Sequence, residues 1–84
     1  MERETVFAKM VEIISEYVRE PELLKNVTSQ TDIINDLRVN SARLVDIIIK
    51  AEDVFDIEID DDDADQIRTL GDATSVVMSL KQAA

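Results

Sequence analysis

The amino-acid sequence predicts an all-α fold, a small four-helix bundle of three longer helices plus one short helix, with a long connection between helices 1 and 2. Apolar residues recur at spacings of three and four along most of the chain, which is the period of an amphipathic helix. The 84 residues include one glycine and one proline, and 27 of them are Leu, Ile, Val or Phe. That share exceeds the roughly 20% below which charged chains tend to stay disordered. Residues 1–84 are therefore predicted to form a single domain with a packed core.

The first helix is predicted from an apolar pattern that runs from Val6 to Val18. Pro21 is expected to stop this helix, because a proline pushes the preceding residue out of the α region. Residues 19–39 then form the long connection. A structureless segment of that length is uncommon in a small domain unless it is held in place or functional. Its scattered apolar residues are therefore expected to pack against the core.

The second helix is predicted over the stretch from Ser41 to Phe55, which contains neither glycine nor proline. Asn40 precedes it and is a favourable N-cap residue, because its side chain can accept a hydrogen bond from a free backbone N–H. The helical period predicts one core-facing stripe. That stripe consists of Leu44, Ile48, Ala51 and Phe55.

Two further helices are predicted near the C-terminus. The acidic run Asp60 to Asp63 favours the start of a short third helix that buries Ala64 and Ile67, because anions stabilise a helix N-terminus. Thr69 and Asp72 match the capping-box pattern, which predicts that a fourth helix begins there. Its inward-facing residues are Leu70, Ala73, Val76, Val77 and Leu80.

The composition argues against several classes of protein. The formal charge is -10, and there is no histidine or cysteine. No imidazole base, thiolate nucleophile or Cys-based metal site is therefore expected. The acidity disfavours binding to nucleic acid, and no apolar run has the length of a membrane span or a signal peptide. The chain is predicted to be a cytoplasmic monomer without a metal site or catalytic activity.

The acidic run also invites a calcium-binding interpretation. A twelve-residue EF-hand loop starting at Asp61 has acidic residues at positions 3, 5 and 12. However, Gln66 stands at position 6, where the loop needs glycine for its turn. An acidic helix start is therefore favoured, and a calcium-binding helical protein is kept as an alternative. A small enzyme is a more distant alternative, because no catalytic constellation is found.

Residues 36–73 read DLRVNSARLVDIIIKAEDVFDIEIDDDDADQIRTLGDA. An Asp-Leu pair precedes a serine, an amphipathic helix follows, and the segment closes on a Thr-Leu-x-Asp-Ala pattern. The residues that carry this pattern are Asp36, Leu37, Ser41, Glu52, Phe55, Ile57, Ile59, Ala64, Ile67, Thr69, Leu70, Asp72 and Ala73. In this combination and spacing, the segment resembles the acyl carrier protein family.

The resemblance implies a carrier whose serine, here Ser41, bears 4′-phosphopantetheine attached from coenzyme A by a phosphopantetheinyl transferase. The thiol of that arm carries acyl groups as thioesters, which suits a chain that has no cysteine. Further partners would be acyl-loading, condensing or acyl-transferring enzymes of fatty-acid, lipid or polyketide-type biosynthesis. The position of Ser41 at a helix start also suits a phosphate, because unpaired N–H groups and the helix dipole favour anions there.

The resemblance also implies a docking surface and an acyl-chain pocket. The docking residues are Asn40, Ala42, Arg43, Val45, Asp46, Ile49, Glu52, Asp53 and Asp56. The pocket residues are Ile33, Val45, Ile48, Ala51, Ile59, Ala64, Ile67 and Ala73. A simple hydrophobic core explains the second set equally well. Ala51 stands where the family commonly has a larger aliphatic residue, which predicts extra room for a branched, long or unusual chain.

Three residues near the serine depart from the family pattern. Asn40 replaces the usual Asp, Ala42 the usual Leu, and Arg38 the usual Gly. Either a dedicated transferase modifies the serine, or the chain is an unmodified carrier-like protein that acts as a regulatory or scaffolding module. Arg43 and Lys50 interrupt the acidic character of the second helix. They predict altered partner choice and a specialised carrier, because charges at the rim of an interface mainly set specificity and association rate.

Overall fold

The computed structural model describes residues 2–83 and contains four α-helices. Three are long: α1 (Arg3–Ser15), α2 (Ser41–Phe55) and α4 (Leu70–Ala83). The fourth, α3 (Asp61–Asp65), is short, and a 3₁₀ helix (Pro21–Leu24) lies in the connection between α1 and α2. The predicted fold class is confirmed. None of the helices in this part of the chain is long and apolar enough to cross a membrane.

Helix α1 is shorter than its apolar pattern predicts. It ends at Ser15, and the prediction that it continues to Val18 is wrong. The turn after Ser15 tightens, because the N–H groups of Tyr17 and Val18 bond to carbonyls three residues back, at 2.9 and 3.3 Å. The helix packs mainly against α4. Its fully buried side chains are Val6, Met10, Ile13 and Ile14.

The connection between α1 and α2 is held against the start of α4 by backbone hydrogen bonds. The N–H of Ile33 donates to the carbonyl of Arg68 at 3.0 Å, and the N–H of Leu70 donates to that of Thr31 at 3.0 Å. The N–H of Gly71 donates to the carbonyl of Ser29 at 2.8 Å. These three bonds form a clamp that fixes the path of the connection ahead of α2.

Asp32 organises the next turn of the connection. Its carboxylate accepts hydrogen bonds from the backbone N–H groups of Asn35, at 2.8 Å, and Ile34, at 3.0 Å. These donors stabilise the ionised form, and the hydrogen bond from the Asn35 backbone contributes most to lowering the pKa of Asp32 below its usual value. The charged carboxylate therefore stabilises the local turn that leads to α2.

We expect Asp32→Asn to lower the free energy of unfolding at neutral pH by about 0.5–1 kcal/mol, the range for a lost capping interaction. Because the folded-state pKa is lowered, the contribution is present above the unfolded-state pKa and is lost as pH falls through the folded-state value. Urea denaturation at neutral and strongly acidic pH measures this, and the two proteins should converge in acid. Asp53→Asn, at an exposed carboxylate on α2, controls for the change in net charge. A deficit that persists unchanged in acid would contradict the assignment.

Helix α2 has the predicted bounds, and Asn40 is its N-cap as predicted. Its buried face differs from the predicted stripe. Ala51 and Phe55 are buried, Leu44 and Ile48 are half-buried, and Ile47 is buried although it was not predicted. Three consecutive isoleucines occupy this part of the helix, so the choice of the inward one depends on how α2 packs against its neighbours.

The acidic run begins α3 as predicted, since the side chain of Asp60 accepts a hydrogen bond from the N–H of Asp63 at 2.8 Å. The helix is shorter than predicted: Ala64 is only half-buried, and Ile67 is buried but lies after α3, which ends at Asp65.

The predicted capping box of α4 is confirmed. The N–H of Thr69 donates to the carboxylate of Asp72 at 3.1 Å, and the N–H of Asp72 donates to the hydroxyl of Thr69 at 3.0 Å. Because each side chain satisfies the other residue's backbone, the start of the helix is fixed locally. Four of the predicted inward residues are buried and Leu80 is half-buried; the four are Leu70, Ala73, Val76 and Val77.

Candidate functional site

Ser41 is the first residue of α2, and it is exposed. Asn40, in an extended conformation, caps the helix through its side-chain oxygen, which accepts a hydrogen bond from the N–H of Ala42 at 2.9 Å. The serine hydroxyl is therefore not needed for capping, and it makes no hydrogen bond within the described part of the chain. An exposed hydroxyl at the positive end of a fifteen-residue helix suits attachment of a phosphate-linked group.

The residues just before the serine anchor it to the core. Leu37 and Val39 are 1% and 2% exposed, so they are packed in the interior on either side of Arg38. The carboxylate of Asp36 accepts a hydrogen bond from the N–H of Asp32 at 2.8 Å. This arrangement explains why an Asp-Leu pair precedes the serine: the Asp closes the turn, and the Leu holds the turn to the core.

Arg38 lies in the left-handed backbone region, with a φ of 57°. The family pattern has glycine at this position, and the left-handed conformation is unfavourable for residues with a Cβ. We expect Arg38→Gly to raise the free energy of unfolding by about 0.5–1 kcal/mol, because relief of this strain exceeds the entropy gained by the unfolded chain. Thermal unfolding measures the effect.

Arg38→Ala is the matched control for this prediction. It keeps the Cβ and the strain, and removes only the exposed ion pair between Arg38 Nη1 and Glu20 Oε2, which are 3.4 Å apart. Exposed ion pairs contribute about 0–1 kcal/mol to the free energy of unfolding. The stability of this variant should therefore be unchanged or slightly lower. Equal stabilisation by both substitutions would show that the backbone conformation is not the cause.

The predicted docking residues lie along α2 from its cap to the residue after its end. Val45 and Ile49 are 59% and 58% exposed, and such large apolar side chains on an outer face are typical of a contact surface. Asp46 and Glu52 are half-buried. The remaining residues of the set are exposed: Asn40, Ala42, Arg43, Asp53 and Asp56. Their role in docking stays a prediction.

Glu52 has a structural contact that the sequence did not indicate. Its carboxylate accepts a hydrogen bond from the N–H of Ile59 at 2.9 Å, seven residues later. This bond ties the segment between α2 and α3 back to α2. A second unpredicted tie joins Lys81 of α4 to the end of α2, since Lys81 Nζ donates to the carbonyl of Phe55 at 3.1 Å. A cation at a helix C-terminus is favourable because it meets the negative end of the helix dipole.

Most of the predicted pocket residues belong to the interior. Ile33, Ala51, Ile67 and Ala73 are buried, and Ile48, Ile59 and Ala64 are half-buried. Val45, the remaining predicted pocket residue, lies on the outer surface. The physical reason is its place on the helix: it is two residues from the buried Ile47, about 200° around the helix axis. The structure thus does not place Val45 in the interior pocket.

The acidic run around α3 forms a charged surface next to this interior. Partial burial and then the charge of Asp60 raise the pKa of Asp63. Within residues 2–83, no group of three or more acidic, histidine or cysteine side chains is arranged to hold a metal ion. The described geometry therefore accounts for these carboxylates as a helix start.

Comparisons with known proteins agree with this geometry. Residues 8–77 match the family model described as a phosphopantetheine attachment site. The acyl carrier protein of Lactobacillus acidophilus is 37% identical over 79 residues, covering 94% of this chain and 96% of that protein. The acyl carrier protein of Thermotoga maritima is 37% identical over 75 residues, covering 89% and 90%.

A solved structure of an acyl carrier protein from Enterococcus faecalis superposes on this fold with a TM-score of 0.75. The two sequences are 36% identical, and the match covers 95% of this chain and 99% of that one. The matches imply a covalently attached 4′-phosphopantetheine as the prosthetic group. On this evidence the chain belongs to the acyl carrier protein family.

Proposed function

We propose that this protein carries acyl intermediates as thioesters on a 4′-phosphopantetheine arm attached to Ser41, as a monomeric single domain of the cytoplasm. The observation that carries the proposal is the exposed serine hydroxyl at the start of α2, which the cap at Asn40 leaves free. The arm supplies the thiol, which the chain lacks because it contains no cysteine. The protein itself presents and shelters the cargo, and its partners perform the chemistry.

The outer face of α2 is the proposed docking surface. Val45 and Ile49 supply apolar area at its centre, and Asp53 and Asp56 supply negative charge towards its end. Partner enzymes would therefore present an apolar depression bordered by basic residues. These partners are a phosphopantetheinyl transferase and acyl-loading, condensing or acyl-transferring enzymes of fatty-acid, lipid or polyketide-type biosynthesis.

The interior residues beneath α2 are the proposed shelter for the acyl chain. Ala51 is 2% exposed and faces this interior. A methyl group fills less volume there than the larger aliphatic residue that is common in the family. The proposed interior consequently has extra room for a branched, long or otherwise unusual acyl chain.

Intact mass after incubation with coenzyme A and a broad-specificity phosphopantetheinyl transferase tests the attachment site. We expect the wild-type protein to gain the mass of one arm and Ser41→Ala to gain none. Ser79→Ala, which removes an exposed serine of α4, should be modified like the wild type. Modification of Ser41→Ala would place the arm elsewhere.

An unmodified regulatory or scaffolding module is the second candidate. It is favoured by Asn40 and Ala42, which replace residues that the family often uses in docking its transferase. Failure of the broad-specificity enzyme and of the host's own transferase to modify the wild type would support this alternative. If only the double variant Asn40→Asp with Ala42→Leu is modified, loss of recognition at these two positions is the cause.

A further inference from the structure

An open groove lies beside Ser41, between the end of α1, the 3₁₀ helix and the start of α2. Its lining includes Tyr17, Leu23 and Leu37, which supply apolar atoms. Three arginines also line it, namely Arg19, Arg38 and Arg43. The groove therefore combines apolar side chains with guanidinium groups, and it reaches the proposed attachment point because Asn40 and Arg43, on either side of Ser41, line it.

The charge of this groove is opposite to that of the protein. Three of the nine basic residues line it, together with two glutamates, which gives the lining a net charge of +1. The protein as a whole carries -10. A concave site with the sign opposite to that of the remaining surface favours an anionic group there.

The arginines are available to a ligand. Arg43 Nη1 lies 3.1 Å from Asp46 Oδ2, and these side chains are 65% and 45% exposed. The pair between Arg38 and Glu20 is longer and still more exposed. Because such surface pairs contribute little, both guanidinium groups can turn towards a carboxylate, which they bind in a planar two-point geometry.

We propose that this groove binds the free carboxylate end of a dicarboxylic acyl group carried on the protein. The inference rests on the proposed carrier function. A chain that ends in a carboxylate is poorly suited to the interior around Ala51, because burial of an unpaired charge among apolar side chains is costly. In the groove, Tyr17 and Leu23 offer apolar contacts to the methylene groups of the chain, and the arginines offer cationic partners to its carboxylate. A weak affinity of the groove for this carboxylate is sufficient, because the short flexible arm holds the acyl group at an effective concentration of about millimolar.

A titration monitored by amide NMR shifts tests this inference without requiring that Ser41 be modified. The unmodified protein is titrated with adipoyl-pantetheine amide and, as the matched control, hexanoyl-pantetheine amide. We expect the first ligand to shift the amide signals of Leu37, Arg38 and Arg43 in a saturable way that high salt weakens. The hexanoyl ligand has the same chain length but no terminal carboxylate, so it should leave these signals unchanged.

Variants that remove positive charge test whether the arginines bind the ligand. Arg38→Gln together with Arg43→Gln should weaken the adipoyl ligand about fivefold or more, given the weak interaction of exposed charges. Lys50→Gln removes a cation from α2 outside this groove, so it should leave the affinity unchanged. An equal loss with Lys50→Gln would show that net charge, not the groove, determines binding.

Three outcomes overturn the inference. The first is an equal response to the adipoyl and hexanoyl ligands, and the second is no response at these amides up to millimolar ligand. The third is that 4′-phosphopantetheine without an acyl group shifts the same signals, which assigns the groove to the arm's phosphate. Failure of the carrier function appears separately, as absent modification in the mass experiment.

Discussion

Leu37→Ala should lower the free energy of unfolding by about 2–5 kcal/mol, the range for truncating a fully buried leucine. Leu37 is 1% exposed and anchors the turn that leads to Ser41. A domain of 84 residues has a total stability of only about 4–13 kcal/mol. The substitution is therefore expected to leave a substantial unfolded population, measurable by urea denaturation followed by circular dichroism.

Ile34→Ala is the matched control, because it removes a similar side chain from the same connection. Ile34 is 36% exposed, so its truncation should cost less than about 1 kcal/mol. Equal losses at the two positions would contradict the conclusion that Leu37 alone of this pair is packed in the core.

Gly71→Ala should destabilise the protein by about 1–3 kcal/mol, although alanine is the better helix former by about 1 kcal/mol. A Cβ at this position would lie 2.7 Å from the carbonyl oxygen of Ser29 and 3.0 Å from its Cβ. The obstacle is mainly backbone, so relief requires the connection to move away from α4 and to weaken the hydrogen bond between Gly71 and Ser29. Thermal unfolding measures the loss.

Ser75→Ala supplies the control for that prediction on the same helix. Ser75 is exposed, and its replacement should leave stability unchanged or slightly raised through helix propensity. If Gly71→Ala is as stable as Ser75→Ala, the close approach of the connection to α4 is not maintained in solution.

The sequence predicted most reliably the features that local chemistry determines. The bounds of α2 follow from its cap at Asn40 and from a stretch without glycine or proline. The start of α4 follows from Thr69 and Asp72, whose side chains bond to each other's backbone. Such contacts lie within a few residues of one another, so a sequence pattern is enough to identify them.

Features that depend on tertiary contacts were missed or only partly predicted. Nothing local distinguishes Ile47 from Ile48, yet the first is buried and the second half-buried. The groove beside Ser41 joins Arg19 to Arg43, which are distant in sequence, so charge patterning along the chain did not reveal it. The φ of Arg38 is likewise set by its buried neighbours, Leu37 and Val39.

The clamp between the connection and the start of α4 has a consequence for how the interior can open. Three backbone hydrogen bonds hold that side of the bundle together. By contrast, α3 packs only sparsely against the long helices, and the segment before it is tied to α2 through the side chain of Glu52. Parting the helices costs least where the fewest contacts break. We therefore expect the interior to open more easily beside α3 than at the clamp, with loss of the hydrogen bond between the N–H of Ile59 and the Glu52 carboxylate.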